Sequence, residues 1–188
     1  MMTFMPTDIV AEYAAIYAQQ GILYGATWVA VTSRTGQVTV GDVIGMLALD
    51  AGYLEELDMD QVFDGEPSIL LLDEVDSAVS VLTFWPLSDE SLESLSLNGE
   101  AISAFFDIDS GHWLKLAVDG EIVLNFNFPG SFQGSRPDAL NAEHAQIGDA
   151  LDVDPAAAML ALVELRTGVS LTAEYFTRPH WTITRHDG

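Results

Sequence analysis

Apolar residues recur at helical spacing near the start of the chain. Ile9, Val10, Tyr13, Ile16 and Tyr17 fall on one face of a helix predicted from Thr7, as N-cap, to Gln20, with Gly21 as its stop. The β-rich run ATWVAVT, residues 26–32, predicts a strand, closed by Ser33-Arg34-Thr35-Gly36. Thr39 opens a second helix, with Asp42 three residues on as a short capping box and Val40, Val43, Ile44 and Leu47 as its apolar stripe. In the following segment, 50–66, Tyr53, Leu54, Leu57, Val62 and Phe63 are expected to face inward. Its acids are then expected to face water, because an unpaired buried carboxylate is costly.

Strand patterns return at 68–72 and 78–85, joined through Asp73-Glu74-Val75-Asp76 as an acidic turn. Pro86 stops the second strand, and Ser88 caps a short helix to Leu95. Residues 101–107 form a further strand, and 113–118 with 121–126 form a hairpin around Asp119-Gly120. A two-residue turn pairing 118 with 121 would leave apolar side chains on both faces. A three-residue loop pairing 117 with 121 puts Leu114, Leu116, Ile122, Leu124 and Phe126 on one face, and this register is preferred. The other face then shows Trp113, Lys115 and Asn125, either as a binding surface or as a face covered by a helix.

A Gly/Pro loop is expected over 129–139. A helix follows from Asp154 to Thr167, with Pro155 in its first turn and Gly168 at its end. A short segment, 169–176, closes the domain, and 177–188 reads as a mobile tail carrying His180 and His186. The element order predicts a single α+β domain over 1–176, with a mostly antiparallel sheet packed against N-terminal, middle and C-terminal helices.

Charge changes this picture. No lysine or arginine occurs between Arg34 and Lys115, while seventeen acids run from Asp42 to Asp109. Of the net charge of -23, residues 35–154 carry -22: twenty-four acids against Lys115 and Arg136. Halophilic adaptation would acidify the whole surface, yet the last thirty-four residues are neutral, with three acids against three arginines. Acidity for solubility alone accounts for a smaller charge than this. So strong a one-signed field repels nucleic acid and anionic membrane and attracts basic proteins. Six basic residues cannot supply the clustered phosphate contacts that direct nucleic-acid binding needs.

The chain has no cysteine, which removes thiol catalysis, disulfides and cysteine-ligated metals. Met1 to Pro6 lacks the basic stretch of a secretory leader, so a cytoplasmic location is expected. Residues 107–111 begin like a calcium loop but place His112 and Val118 where glycine and a bidentate acid belong. The pairs Asp58/Asp60 and Asp152/Asp154 are spaced for a shared strand face and read as chance at this acid content. The four histidines lack zinc-ligand spacing, and no nucleophile elbow or phosphate loop occurs. The expectation is a non-enzyme without cofactor or metal.

The runs AISAFFDID from Ala101, WLKLAVDGEIVLNF from Trp113, RPDAL from Arg136 and ALVELRTGVSLT from Ala161 come in an order that resembles an uncharacterised family of small actinobacterial proteins. The resemblance covers 100–176 best and departs from the family at Phe106 and at Asn127-Phe128. It implies one intact domain and an actinobacterial or actinophage source, and it implies no activity.

The reading that follows is an acidic, immunity-type inhibitor that caps the active site of a basic toxin or enzyme. The expected contacts are Asp50, Glu55, Glu56, Asp58, Asp60, Asp64, Glu66, Asp73, Glu74 and Asp76. The alternatives are a phage nucleic-acid mimic directed at a defence enzyme, and a housekeeping module whose acids only solvate it. The oligomeric state stays open.

Overall fold

A computed structural model describes residues 6–20, 25–63, 69–107 and 111–184. Within them, helices α1 (Pro6–Gln20), α2 (Val40–Met46), α3 (Met59–Phe63), α4 (Asp89–Leu95), α5 (Asn141–Ile147), α6 (Ala150–Val153) and α7 (Pro155–Thr167) surround one sheet. Its strands are β1 (Ala26–Ser33), β2 (Leu54–Leu57), β3 (Ile69–Val75), β4 (Ala78–Thr83), β5 (Gly99–Asp107), β6 (Gly111–Val118), β7 (Glu121–Phe128) and β8 (His180–Thr184). They lie in the order β2-β8-β3-β4-β1-β5-β6-β7, and every neighbouring pair is antiparallel. The α+β class expected from the sequence is the class observed.

Helices cover both faces. Val43 and Ile44 of α2 and Leu92 and Leu95 of α4 pack with Val29, Val31, Leu70, Leu72, Val79 and Val81 on one face. On the other, Trp28, Leu71, Leu82, Ile102, Phe106, Leu114 and Leu116 meet α7 and α1. Double coverage explains why the central strand β4 is buried at every position, unlike an antiparallel sheet with one wet face. Helix α7 is buried along its whole run from Ala156 to Val163, and its four alanines there, Ala156, Ala157, Ala158 and Ala161, let it lie close to β1, β5 and β6 while α1 covers its outer side.

Local signals made the helices. Thr39 and Asp42 form the reciprocal capping box of α2, with the Asp42 backbone N–H donating to Thr39 Oγ1 and the Thr39 N–H to Asp42 Oδ2. Ser88 caps α4 and Asp154 caps α7, where Gly168 ends the helix in the left-handed conformation. The first helix begins at Pro6, with Tyr13 and Ile16 buried as expected.

Tyr13 ties α1 to α7: its hydroxyl donates to Glu164 and accepts from the Leu171 N–H at 3.1 Å. Burial, reinforced by the Glu164 charge, raises the Tyr13 pKa. Burial also raises that of Glu164, against the opposing effect of the Tyr13 hydrogen bond. A carboxyl whose folded pKa is raised contributes stability at low pH, and that contribution is lost as pH climbs through the folded pKa. Glu164→Gln keeps an acceptor for Tyr13 without the charge. Its melting temperature relative to wild type should therefore rise between about pH 4 and pH 8; a difference independent of pH contradicts this.

Three features depart from the sequence reading. The hairpin uses the two-residue turn, with Val118 paired to Glu121 and both Asp119 (φ 53°) and Gly120 (φ 82°) left-handed. An irregularity between Leu116 and Ala117 then shifts the register, so that Leu116 pairs with Leu124 and Lys115 with Asn125. This bulge solves the problem that had disfavoured the short turn. Ile122 joins Ala117 on the α2/α4 face, while Val123 and Leu124 both serve the α7 face. Second, residues 180–184 are not a tail but β8, seated inside the sheet between β2 and β3. Third, α5 and α6 occupy residues that had suggested no element. The expectations for Gly21, Asp64, Glu66, Asp109 and His186, and for the side chain of Phe63, lie outside the described residues.

Candidate functional site

Strand β2 is the open edge of the sheet. Its residues run Leu54-Glu55-Glu56-Leu57 and, among the described residues, pair on one side only, to β8. Leu54 and Leu57 are half-buried, and Glu55 and Glu56 are exposed. Asp50 precedes the edge, its carboxylate accepting the Gly52 N–H at 2.9 Å, and Asp58 and Asp60 follow it, both exposed. Five of the ten acids expected to meet a partner are thus together at one sheet edge. Tyr53, expected inside, is 53% exposed instead, and Trp181 on β8, directly opposite Glu56, is 46% exposed. The edge therefore combines carboxylates with two accessible aromatic rings.

The nearby cations are spent elsewhere. Arg34 pairs with Asp119, Lys115 with Asp89, Arg166 with Glu100 and Glu143, and Arg178 with Asp73. Among the described residues none of these cations pairs with an acid of the β2 edge.

Asp73 does not belong to the exposed set. It lies within β3, not in a turn, and is 5% exposed. The expectation that it contacts a partner is corrected on that ground. Its Oδ2 is 2.7 Å from Nδ1 of buried His180 and 3.4 Å from the Arg178 guanidinium. His180 Nε2 is 2.6 Å from the Tyr175 carbonyl oxygen. A carbonyl only accepts, so Nε2 donates to it, and Nδ1 is left to bond the Asp73 carboxyl. Both ring nitrogens are thus hydrogen-bonded, which is why the imidazole is tolerated in the core. Burial and the Asp73 charge together hold the phenol of Tyr175, whose ring lies 4.3 Å from that of His180, well above its ordinary pKa. This cluster pins β8 to β3 and so supports β2 one strand further out.

Glu74 is exposed but occupied: its carboxylate accepts the Val40 N–H at the start of α2, at 2.9 Å. Asp76 is exposed in the β3–β4 turn with φ 53°. The spaced acid pairs do not form strand-face sites. Asp60 is in the first turn of α3, and Asp154 caps α7 through the Ala157 N–H. Among the described residues no three histidine or acidic side chains gather as metal ligands, and no described helix is long and apolar enough to cross a membrane.

A cleft of about 500 Å³ opens at the other end of the sheet, lined by Pro86 and Leu87 and by Trp113, Lys115, Asn125 and Asn127 of β6 and β7, with His112 and Phe128 at the strand ends. Helices α2 and α4 leave this part of their face uncovered, so neither side of the expectation for Trp113, Lys115 and Asn125 holds fully: each is half-buried. The Trp113 ring stacks on buried Phe105, centroids 3.9 Å apart.

A helix-covered, wholly antiparallel sheet with an acidic open edge and a polar cleft is thus the architecture in hand. Residues 79–186 match a family of unknown function, DUF6461, and the chain belongs to that family. The match runs from β4 through β8, beyond the 100–176 that carried the resemblance; it includes the cleft residues Trp113 to Asn127 and leaves the β2 edge outside. No curated protein and no solved structure matches the chain.

Proposed function

We propose that this protein is an acidic protein-binding inhibitor of the immunity type, acting in the cytoplasm, which caps a basic toxin or enzyme with the β2 edge. The observation that carries this reading is the set Asp50, Glu55, Glu56, Asp58 and Asp60, exposed around one edge strand beside exposed Tyr53 and Trp181 and without an ion pair among the described residues. The carboxylates steer a cationic partner and set its orientation. The aromatic rings supply the apolar anchors that a protein interface requires for slow dissociation. A surface built to imitate nucleic acid needs evenly spaced charge with little exposed apolar area, and rings between the acids favour the capping reading over the mimic. An edge strand with free backbone groups also offers main-chain pairing to a partner strand.

The test is the quadruple variant Glu55→Gln, Glu56→Gln, Asp58→Asn, Asp60→Asn, measured by stopped-flow association with a panel of basic nucleases and toxin domains at several salt concentrations. Wild type should associate with a cognate member at least about tenfold faster than the variant at low salt, and the gap should close as salt rises. Equal on-rates and equal salt slopes for the two proteins would remove the electrostatic basis of the reading.

A further inference from the structure

The cleft between β6, β7 and the Pro86-Leu87 segment has a composition distinct from the acidic edge. In the ladder Trp113 stands opposite Asn127, and Lys115 opposite Asn125. The four therefore form a two-by-two block on the sheet face away from Leu114, Leu116, Leu124 and Phe126. Trp113 is backed by Phe105 and its indole is fixed as a platform. The chain's single lysine is neutralised: Lys115 Nζ lies 2.5 Å from Asp89 Oδ1 at the start of α4. Among the described residues Asn125 Oδ1 is buried without a hydrogen-bond partner. An unsatisfied buried acceptor costs about 1–3 kcal/mol, which favours turning the Asn125 amide toward a donor in the cleft.

We propose that this cleft binds a neutral saccharide, a short oligosaccharide stacked on Trp113 and hydrogen-bonded by Asn125 and Asn127. Three observations select that class. The side-chain amides of Asn125 and Asn127 offer both donors and acceptors, which suit the hydroxyl groups of a ligand. The indole face carries negative quadrupole charge and attracts the polarised C–H groups on the flat side of a pyranose. The cleft holds no free cation to receive a phosphate or carboxylate, and the net charge of -23 repels anions from the whole surface. Lys115 and Asp89 together offer a donor and an acceptor to neighbouring hydroxyls without a net charge. A volume of about 500 Å³ falls in the range of small-molecule sites.

The experiment is two-dimensional ¹H–¹⁵N NMR of the full chain, which separates the four tryptophan indole signals, titrated with maltotriose, cellotriose and chitotriose. Glucose 6-phosphate and a neutral tripeptide serve as competitors of other classes. At least one neutral trisaccharide should shift the Trp113 indole and the Asn125 and Asn127 side-chain amides saturably, at one site. Trp113→Ala and Asn127→Ala should each weaken binding about tenfold or more, while Trp181→Ala on the acidic edge should leave it unchanged. Asn127 is exposed, so its variant reports on the cleft even if Trp113→Ala disturbs the fold. The proposal is overturned if no neutral saccharide gives a saturable shift, if Asn127→Ala binds as wild type does, or if the phosphorylated sugar or the peptide binds more tightly.

Discussion

Replacing His180 with alanine is expected to destabilise the protein by about 3–5 kcal/mol. The reason is what the variant leaves behind. Asp73 is 5% exposed and its Oδ2 sits 2.7 Å from the imidazole. Without His180 the carboxylate keeps only Arg178, at 3.4 Å and half-exposed, as a charged partner. The freed Tyr175 carbonyl also loses its donor. Domains are stable by only about 5–15 kcal/mol, so this is a large share of the total. The loss should be local at first. Strand β8 is held between β3 and β2, and among the described residues β2 has no other strand neighbour. Hydrogen exchange should therefore lose protection at 180–184 and 54–57 before the rest of the sheet, with urea unfolding giving the overall change. Replacing both partners, in Asp73→Leu with His180→Leu, should recover most of the loss, because apolar groups of similar shape carry no desolvation cost. A single-variant cost below about 1 kcal/mol would show that the pair does not anchor β8.

Trp28→Ala should cost a similar amount, about 3–5 kcal/mol. Trp28 is fully buried on β1 and packs near Tyr13, ring centroids 6.3 Å apart. Removing the indole opens a cavity under α1 and α7 that a rigid sheet cannot close. It also removes the donor to Ser80 Oγ, 2.8 Å from Trp28 Nε1, and Ser80 stands opposite Asp73 across β4 and β3. Trp28→Phe separates the two effects: it keeps most of the volume and loses the hydrogen bond, so it should cost about 1–3 kcal/mol. Equilibrium urea unfolding of the two variants decides the matter. Equal costs for phenylalanine and alanine would mean that the polar contact, not the packing, dominates.

These two residues mark the limit of what was legible in the chain. Trp28 sits in an apolar run whose strand was evident. His180 sits in HWTIT, where Trp181 and Ile183 alternate with His180 and Thr182. That period-two pattern, rich in aromatic and β-branched residues, was a usable strand signal. It was masked because the positions facing the α7 core are polar, and a buried histidine reads as a solvated one until its carboxylate partner, 107 residues away, is known. Asp73 was misread for the same reason: in sequence it adjoins Glu74 and Asp76, in space it adjoins His180. Tyr53 shows the converse, an aromatic residue taken as core that an edge strand leaves in solvent. Helices α5 and α6 carry short and weak apolar stripes, and packing against α7 rather than local preference accounts for them. In the hairpin, strict alternation favours the three-residue loop, because a pattern without a bulge cannot place Ile122 and Leu124 on opposite faces.

By itself the sequence determined the α+β class, the capped helices α2, α4 and α7, and an acidic stretch with no compensating cation. Those properties are local: caps, turns and periodicity act over a few residues, and charge is a sum. Tertiary structure alone decided that β2 is an open edge, that β8 lies inside the sheet, that Asp73 is withdrawn from the surface while Glu55 and Glu56 remain on it, and that Trp113, Lys115, Asn125 and Asn127 share one cleft. Each of those outcomes depends on which distant strand a segment pairs with, and pairing is set by the burial of both sheet faces at once.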